Sequence, residues 1–198
     1  MKLTRGQHAL FLDRDGTLIH DIGYPKDPER VEILGGVVAA LRTASALGYR
    51  LVIVSNQSGV GRGILSEGDV TRVQERVSSL FAEQGIAFDG TYFCFHGPAD
   101  GCGCRKPLPG MLLQAVKELG IDPSASIMIG DKPSDVEAGL AAGCTAVSFG
   151  GGAARSIAGA SANFASWEAF QAWLEGRAPT LTMFDQSGKN APNSGHSG

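Results

Sequence analysis

Short apolar runs that each stop at a polar cluster constrain this chain more than any other feature. Ala9-Leu10-Phe11-Leu12 runs into Asp13-Arg14-Asp15-Gly16-Thr17, and Leu51-Val52-Ile53-Val54 runs into Ser55-Asn56-Gln57-Ser58-Gly59. Tyr92-Phe93 leads into a cluster that starts at Cys94, and Ile127-Met128-Ile129 leads into Gly130-Asp131. Ala146-Val147 is a weaker fifth run before a glycine-rich loop. Runs that stay apolar without alternating suit parallel strands buried on both faces.

Helical patterns lie between the runs. Val37, Leu41 and Ala44 share one face, with Gly48 as a stop. Ser66 is placed to cap a helix that buries Val70, Val73, Val77 and Leu80 or Phe81, ended by Gly85. Leu112, Ala115 and Leu119 repeat the pattern before Gly120. Ser134 is placed to cap a helix carrying Val136 and Leu140, and Ser166 one carrying Trp167, Phe170 and Leu174. These are ordinary start and stop signals. Alternating strands and helices predict an α/β fold: a three-layer, Rossmann-like parallel sheet with helices on both faces. Ligands bind such sheets at the carboxyl ends of the strands, which is where Asp13, Ser55, Cys94 and Asp131 fall. One domain is expected over residues 1–176. A flexible tail, rich in Gly, Ser, Asn and Pro, is expected over residues 177–198.

A net charge of −3 and the absence of a basic cluster argue against nucleic acid or an anionic membrane surface as partner. No apolar run is long enough to span a bilayer, and Met1 to Arg5 lead into no long apolar segment of the signal-peptide kind. The expected protein is a cytoplasmic monomer acting on a small molecule.

Asp13, Asp15 and Asp131 raise an electrostatic problem. Two carboxylates about 4 Å apart repel by roughly 4 kcal/mol at an effective dielectric of 20. A phosphate dianion would add to this. A hard divalent cation with oxygen ligands resolves it, and Mg²⁺ suits such a site. Lys106 and the Ser55 hydroxyl are placed to share the remaining phosphate charge. A carboxylate nucleophile also needs a second carboxyl to move protons, a role open to Asp15. In "CFHGPADGCGC", Cys94, His96, Cys102 and Cys104 form a closed set of three thiolates and one imidazole. That set fits a structural rather than a catalytic zinc. Cys144 reads as a small buried residue.

"DRDGTL", "VSNQSG", "CRKP" and "GDKPSD", in that order, resemble the four motifs of the haloacid dehalogenase superfamily of phosphohydrolases, over about Ala9 to Gly150. The resemblance implies that Asp13 is a nucleophile forming an aspartyl-phosphate and that Asp15 is the general acid and base. It implies that Ser55 and Lys106 hold the phosphoryl group. Asp13, Asp131 and the main-chain carbonyl of Asp15 would bind Mg²⁺, with Asp135 in support. The zinc loop before "CRKP" resembles that of two groups within the superfamily, the heptose 1,7-bisphosphate 7-phosphatases and the histidinol-phosphate phosphatases. "DIGY", Arg62, "RKPLPGM" and "GDKPSD" favour the heptose group, which serves heptose precursor synthesis for lipopolysaccharide core or nucleotide-activated heptose. By the same resemblance Asp21, Ile22, Gly23, Tyr24, Asn56, Gln57, Ser58, Arg62, Arg105 and Lys132 are substrate contacts. A histidinol-phosphate phosphatase or another small-molecule phosphatase, and a binding module that keeps the fold without turnover, are the alternatives.

Three positions depart from the heptose pattern. Ile19 stands where a small polar residue is usual, which predicts a missing substrate-side hydrogen bond. Ser55 replaces Thr, and Phe95 replaces a proline. Little sequence is left for a cap domain, so the site should be open, walled by the zinc loop and residues Asp21 to Tyr24.

Overall fold

A computed structural model describes residues 7–150 and 157–177. The expected flexible tail lies outside these residues, apart from its first position, Arg177. Five of the strands fall where the apolar runs are: β1 (Ala9–Leu12), β2 (Arg50–Asn56), β3 (Gly90–Cys94), β4 (Ile127–Gly130) and β5 (Thr145–Phe149). A sixth, β6 (Asn163–Phe164), is too short to show a pattern in the sequence. All pair in parallel, in the order β3-β2-β1-β4-β5-β6. The chain winds outward from β1 to β3, then crosses back to lay β4 on the other side of β1. The reversal opens a crevice at the carboxyl ends of β1 and β4.

The apolar runs do not alternate because both sheet faces are covered. Leu10, Leu12, Leu51, Ile53 and Ile129 face one core, closed by α1 (Val37–Ala46), α3 (Glu67–Glu83) and α6 (Trp167–Arg177). Ala9, Phe11, Val52, Val54 and Met128 face the other, closed by α4 (Gly110–Leu119) and α5 (Pro133–Ala141). Cys144 sits in this second core, as expected. The layered α/β architecture is therefore the one the sequence predicts. No helix among the described residues is long and apolar enough to cross a membrane.

Ser66 caps α3 as expected. Its hydroxyl accepts from the Asp69 N–H at 3.1 Å, and Asp69 reaches back to the Ser66 N–H at 2.8 Å. Two details at α5 differ from expectation. The helix starts two residues earlier, at Pro133, and Ser134 is not its cap. Asp135 instead turns back to accept from the Lys132 N–H at 2.9 Å. Leu140 is 46% exposed, because the buried side of α5 runs through Val136, Ala138 and Gly139. After β2 the chain also makes a short helix, α2 (Ser58–Gly61), before α3.

Candidate active site

β1 ends at Leu12, so strand alternation does not by itself aim the first-motif aspartates. A tight turn does. The Arg14 carbonyl accepts from the N–H groups of Leu18 and Ile19, at 2.9 and 3.1 Å, and Gly16 takes φ +86°. A Cβ at Gly16 would also lie 2.6 Å from Asp131 Oδ2. Glycine is thus required there twice, once for the backbone and once for the close approach of a carboxylate. Trp167 on α6 secures the turn from behind by donating to the Thr17 carbonyl at 3.0 Å.

Asp13 and Asp15 line a cavity of about 850 Å³ at the carboxyl edge of the sheet. Its walls are the two expected loops. Asp21, Gly23 and Tyr24 stand on one side, and Gly97, Pro98, Gly101, Cys102 and Arg105 on the other. Ser55, Asn56, Gln57, Ser58, Lys106, Lys132 and Asp135 also line it. Ile22 and Arg62 are exposed and are not among the lining residues, so these two expected contacts stand apart from the cavity. Ile19 is 2% exposed and packs in the first hydrophobic core. Its side chain therefore turns away from the cavity, and the departure from a polar residue removes no hydrogen bond there.

The floor is a buried charge cluster. Lys106 Nζ lies 2.6 Å from Asp13 Oδ1 and 2.6 Å from Asp135 Oδ1, and donates to the Val54 carbonyl at 2.8 Å. Burial alone would lower the Lys106 pKa, but the charges of Asp13 and Asp135 outweigh it and hold the ammonium well above its usual range. Burial raises the Asp13 pKa against the opposing pull of Lys106. Asp131 is pushed up to about 7, first by burial and then by the neighbouring Asp13 charge. Lys132, 3.4 Å from Asp21 and 3.7 Å from Asp131, is raised because surrounding carboxylates outweigh its burial.

Carboxylate oxygens of Asp13, Asp131 and Asp135 lie within 4.8 Å of one another, and Asp131 Oδ1 is buried with no hydrogen-bond partner. The donor set is hard oxygen throughout, which fits Mg²⁺. Asp135 is thus a full member of the cluster as well as a helix-capping group. The Asp15 carboxylate is outside it. Arg14 forks onto that carboxylate, and Gln57 Nε2 donates to it at 2.8 Å and to Ser55 Oγ at 2.9 Å. Asn56 is committed as well. Its side chain accepts from the Lys106 N–H at 3.0 Å and donates to the Lys106 carbonyl at 2.9 Å. Asn56 and Gln57, expected as substrate contacts, thus spend much of their hydrogen bonding on holding Lys106, Asp15 and Ser55. Arg14 and Asp135 are the residues that sequence reasoning undervalued. Their positions inside two of the motifs were the available signal.

Beside the cavity, Cys94, His96, Cys102 and Cys104 offer ligand atoms all within 4.8 Å of one another. Cys94 Sγ is 3.7 Å from Cys102 Sγ and 3.3 Å from Cys104 Sγ, while His96 Nδ1 is 3.6 and 3.3 Å from Cys94 and Cys104. A tetrahedron with Zn–S bonds of about 2.3 Å has edges of about 3.8 Å. The spacing therefore fits zinc, and it is far too long for a disulfide. Burial leads the forces that push the Cys94 thiol up to about 12, so the set would bind metal with release of protons. The loop is tied down on both sides. Gly61 donates to the Phe95 carbonyl at 2.8 Å, and a Cβ at Gly110 would collide with the Gly103 carbonyl.

A family profile for haloacid dehalogenase-like hydrolases matches residues 22–143. The D-glycero-beta-D-manno-heptose-1,7-bisphosphate 7-phosphatase of Haemophilus influenzae is 47% identical over 140 residues, covering 68% of this chain and 76% of that protein. The D-glycero-alpha-D-manno-heptose-1,7-bisphosphate 7-phosphatase of Burkholderia mallei is 43% identical over 142 residues, covering 68% and 75%. The crystal structure of D,D-heptose 1,7-bisphosphate phosphatase from B. bronchiseptica, complexed with magnesium and phosphate, superposes with a TM-score of 0.76 at 27% identity, covering 86% of this chain and 99% of that one.

Proposed function

Because this chain belongs to the haloacid dehalogenase-like hydrolases and is a phosphoric monoester hydrolase, we propose that it removes the 7-phosphate of D-glycero-D-manno-heptose 1,7-bisphosphate. The observation that carries the reading is Asp13. It is a buried carboxylate at the end of β1, facing a cavity whose rim supplies Arg105 and Lys132 for a second phosphate. In this reading Asp13 attacks phosphorus and Asp15 protonates the departing sugar oxygen. Asp15 then takes a proton from the water that hydrolyses the aspartyl-phosphate. Lys106 and Ser55 hold the phosphoryl oxygens. Asp13, Asp131 and the Asp15 carbonyl would hold Mg²⁺, with Asp135 beside them. The ion would neutralise charge on the transferring phosphoryl group.

Phosphate release from a panel of sugar bisphosphates and histidinol phosphate tests the substrate. Each charge-assisted contact to the second phosphate is worth about 1.5–3 kcal/mol, so two give about a hundredfold or more in kcat/KM. Histidinol phosphate has no second phosphate and brings cationic groups towards Arg105 and Lys132. Equal efficiency on both substrates would overturn the heptose reading and leave the phosphatase chemistry standing.

The reading also includes a structural zinc on Cys94, His96, Cys102 and Cys104. Elemental analysis of protein grown with zinc should give about one zinc per chain, bound without an open coordination position. Activity should still require added Mg²⁺. Protein that folds and works fully with no zinc would contradict the assignment.

Asp131 makes Mg²⁺ binding pH-dependent. Its pKa rises from the ordinary 3.8 to about 7, so the metal-free fold keeps a proton that the unfolded chain loses at lower pH. Between those values the metal-free protein loses stability as pH rises, and a cation must displace that proton. The rise in melting temperature caused by Mg²⁺ should therefore be larger at pH 8 than at pH 6. An equal rise at both would show that Asp131 does not titrate with the metal.

A further inference from the structure

Arg14, between the two first-motif aspartates, is a buried cation that the chemistry above leaves without a task. It is 1% exposed, and its guanidinium carbon lies 5.7 Å from the centroid of the Phe93 ring on β3. Nη2 is 2.9 Å from Asp15 Oδ2, and Nε is 3.2 Å from each Asp15 oxygen. Nη1 is buried with no hydrogen-bond partner. Among the described residues, the side-chain hydrogen bonds of Arg14 thus all go to Asp15. A buried guanidinium with one end unpaired is a cost to the fold, and an apolar side chain would fill the same space without it.

The fork does not treat the two carboxylate oxygens alike. Oδ2 accepts from Nη2 at 2.9 Å and from Gln57 at 2.8 Å, whereas Oδ1 has a single contact at 3.2 Å from an N–H that it shares. Oδ1 is therefore the oxygen left with capacity for a proton. The Asp15 side chain keeps 15% of its surface exposed, at the cavity wall.

We propose that Arg14 is a positioning residue: braced on Phe93 and aided by Gln57, it pins Asp15 Oδ2 so that Oδ1 works as the proton carrier. The proposal rests on the reading of Asp15 as acid and base. As Asp13 bonds to phosphorus, the bond from phosphorus to the sugar oxygen breaks, and the proton on Oδ1 passes to that oxygen. When water then attacks the aspartyl-phosphate, its proton returns to Oδ1 and the Asp13 carboxylate is released with inorganic phosphate. A misplaced carboxyl would slow both transfers while leaving substrate binding to Lys106, Arg105 and Lys132 intact.

Leaving-group dependence tests this. The parameter kcat/KM covers the steps up to departure of the alcohol, and a sugar alkoxide needs a proton to depart whereas p-nitrophenolate does not. Heptose 1,7-bisphosphate and p-nitrophenyl phosphate are assayed with Asp15→Asn, Arg14→Met and Arg14→Lys. Asp15→Asn should lose about a thousandfold on the sugar and tenfold or less on the aryl ester. Arg14→Met should show the same selectivity at about a hundredfold on the sugar, with KM changed by no more than a few-fold. Arg14→Lys keeps the buried charge, so it folds if the methionine variant does not. It should lose about tenfold on the sugar, since a point charge cannot fork. Equal losses on both substrates for the Arg14 variants would make Arg14 merely structural, and unchanged sugar turnover would also overturn the proposal. If Asp15→Asn itself shows no leaving-group selectivity, the acid–base reading fails first and takes the proposal with it.

Discussion

Replacing Asp13 with asparagine will lower turnover by about 10⁴-fold or more while the protein stays folded. The amide oxygen is a poor nucleophile and cannot form the acyl phosphate, so the covalent route closes. Shape is preserved, and Lys106 keeps a carboxylate partner in Asp135 at 2.6 Å. Removing the Asp13 charge also relieves one of the two forces that push Asp131 up most, so the vacated floor becomes less crowded rather than more. Phosphate release in Mg²⁺-containing buffer, read beside a thermal melt, checks both halves. Turnover within tenfold of the parent would remove Asp13 from the nucleophile's role.

Lys106→Met should produce the largest loss of stability of any single change at the site. Asp13 and Asp135 share its ammonium at 2.6 Å each, and all three side chains are nearly fully buried. Breaking a buried ion pair by removing one partner costs about 3–5 kcal/mol, because the other charges are left uncompensated. For a protein of this size that is roughly 6–20 °C in melting temperature. The loss should shrink as pH falls, since Asp13 is already raised by burial and will take up a proton rather than remain an unpaired charge. Adding Asp135→Asn to Lys106→Met should recover part of the loss at pH 7. Denaturant melts of the single and double variants decide it, and a single-variant loss below about 1 kcal/mol would show that the lysine does not hold the floor together.

The sheet was legible because a parallel strand buried on both faces writes itself as an uninterrupted apolar run, and β1, β2 and β4 do so. β6 has two residues and leaves no such trace. The site was legible in its composition, because the topology delivers each polar cluster to one edge. Its internal allegiances were not. That Gln57 serves Asp15 and Ser55, and that Asn56 serves Lys106, depends on separations across the fold that no local pattern encodes. Asp135 read as support for Mg²⁺, and it also caps the start of α5. Its pairing with Lys106 was not legible, because it arises where Gly130, lacking a Cβ, lets the carboxylate settle against the end of β4. Ile19 was misplaced for a related reason, since a loop position near a motif gives no hint of which way its side chain turns.

The segments that make the floor are far apart along the chain. Asp13 meets Lys106 across 93 residues, and Lys106 meets Val54 and Asn56 across 52 and 50. Contacts of such long range close late, after the loops between them have given up their freedom. A nascent or half-folded chain that has formed β1 and its aspartates still lacks the lysine that charges the pocket, and β4 with Asp131 comes later still. Hydrolytic competence therefore arrives with the finished sheet. Recovery of activity during refolding should lag the recovery of helix signal and report the closing of the last long-range contacts.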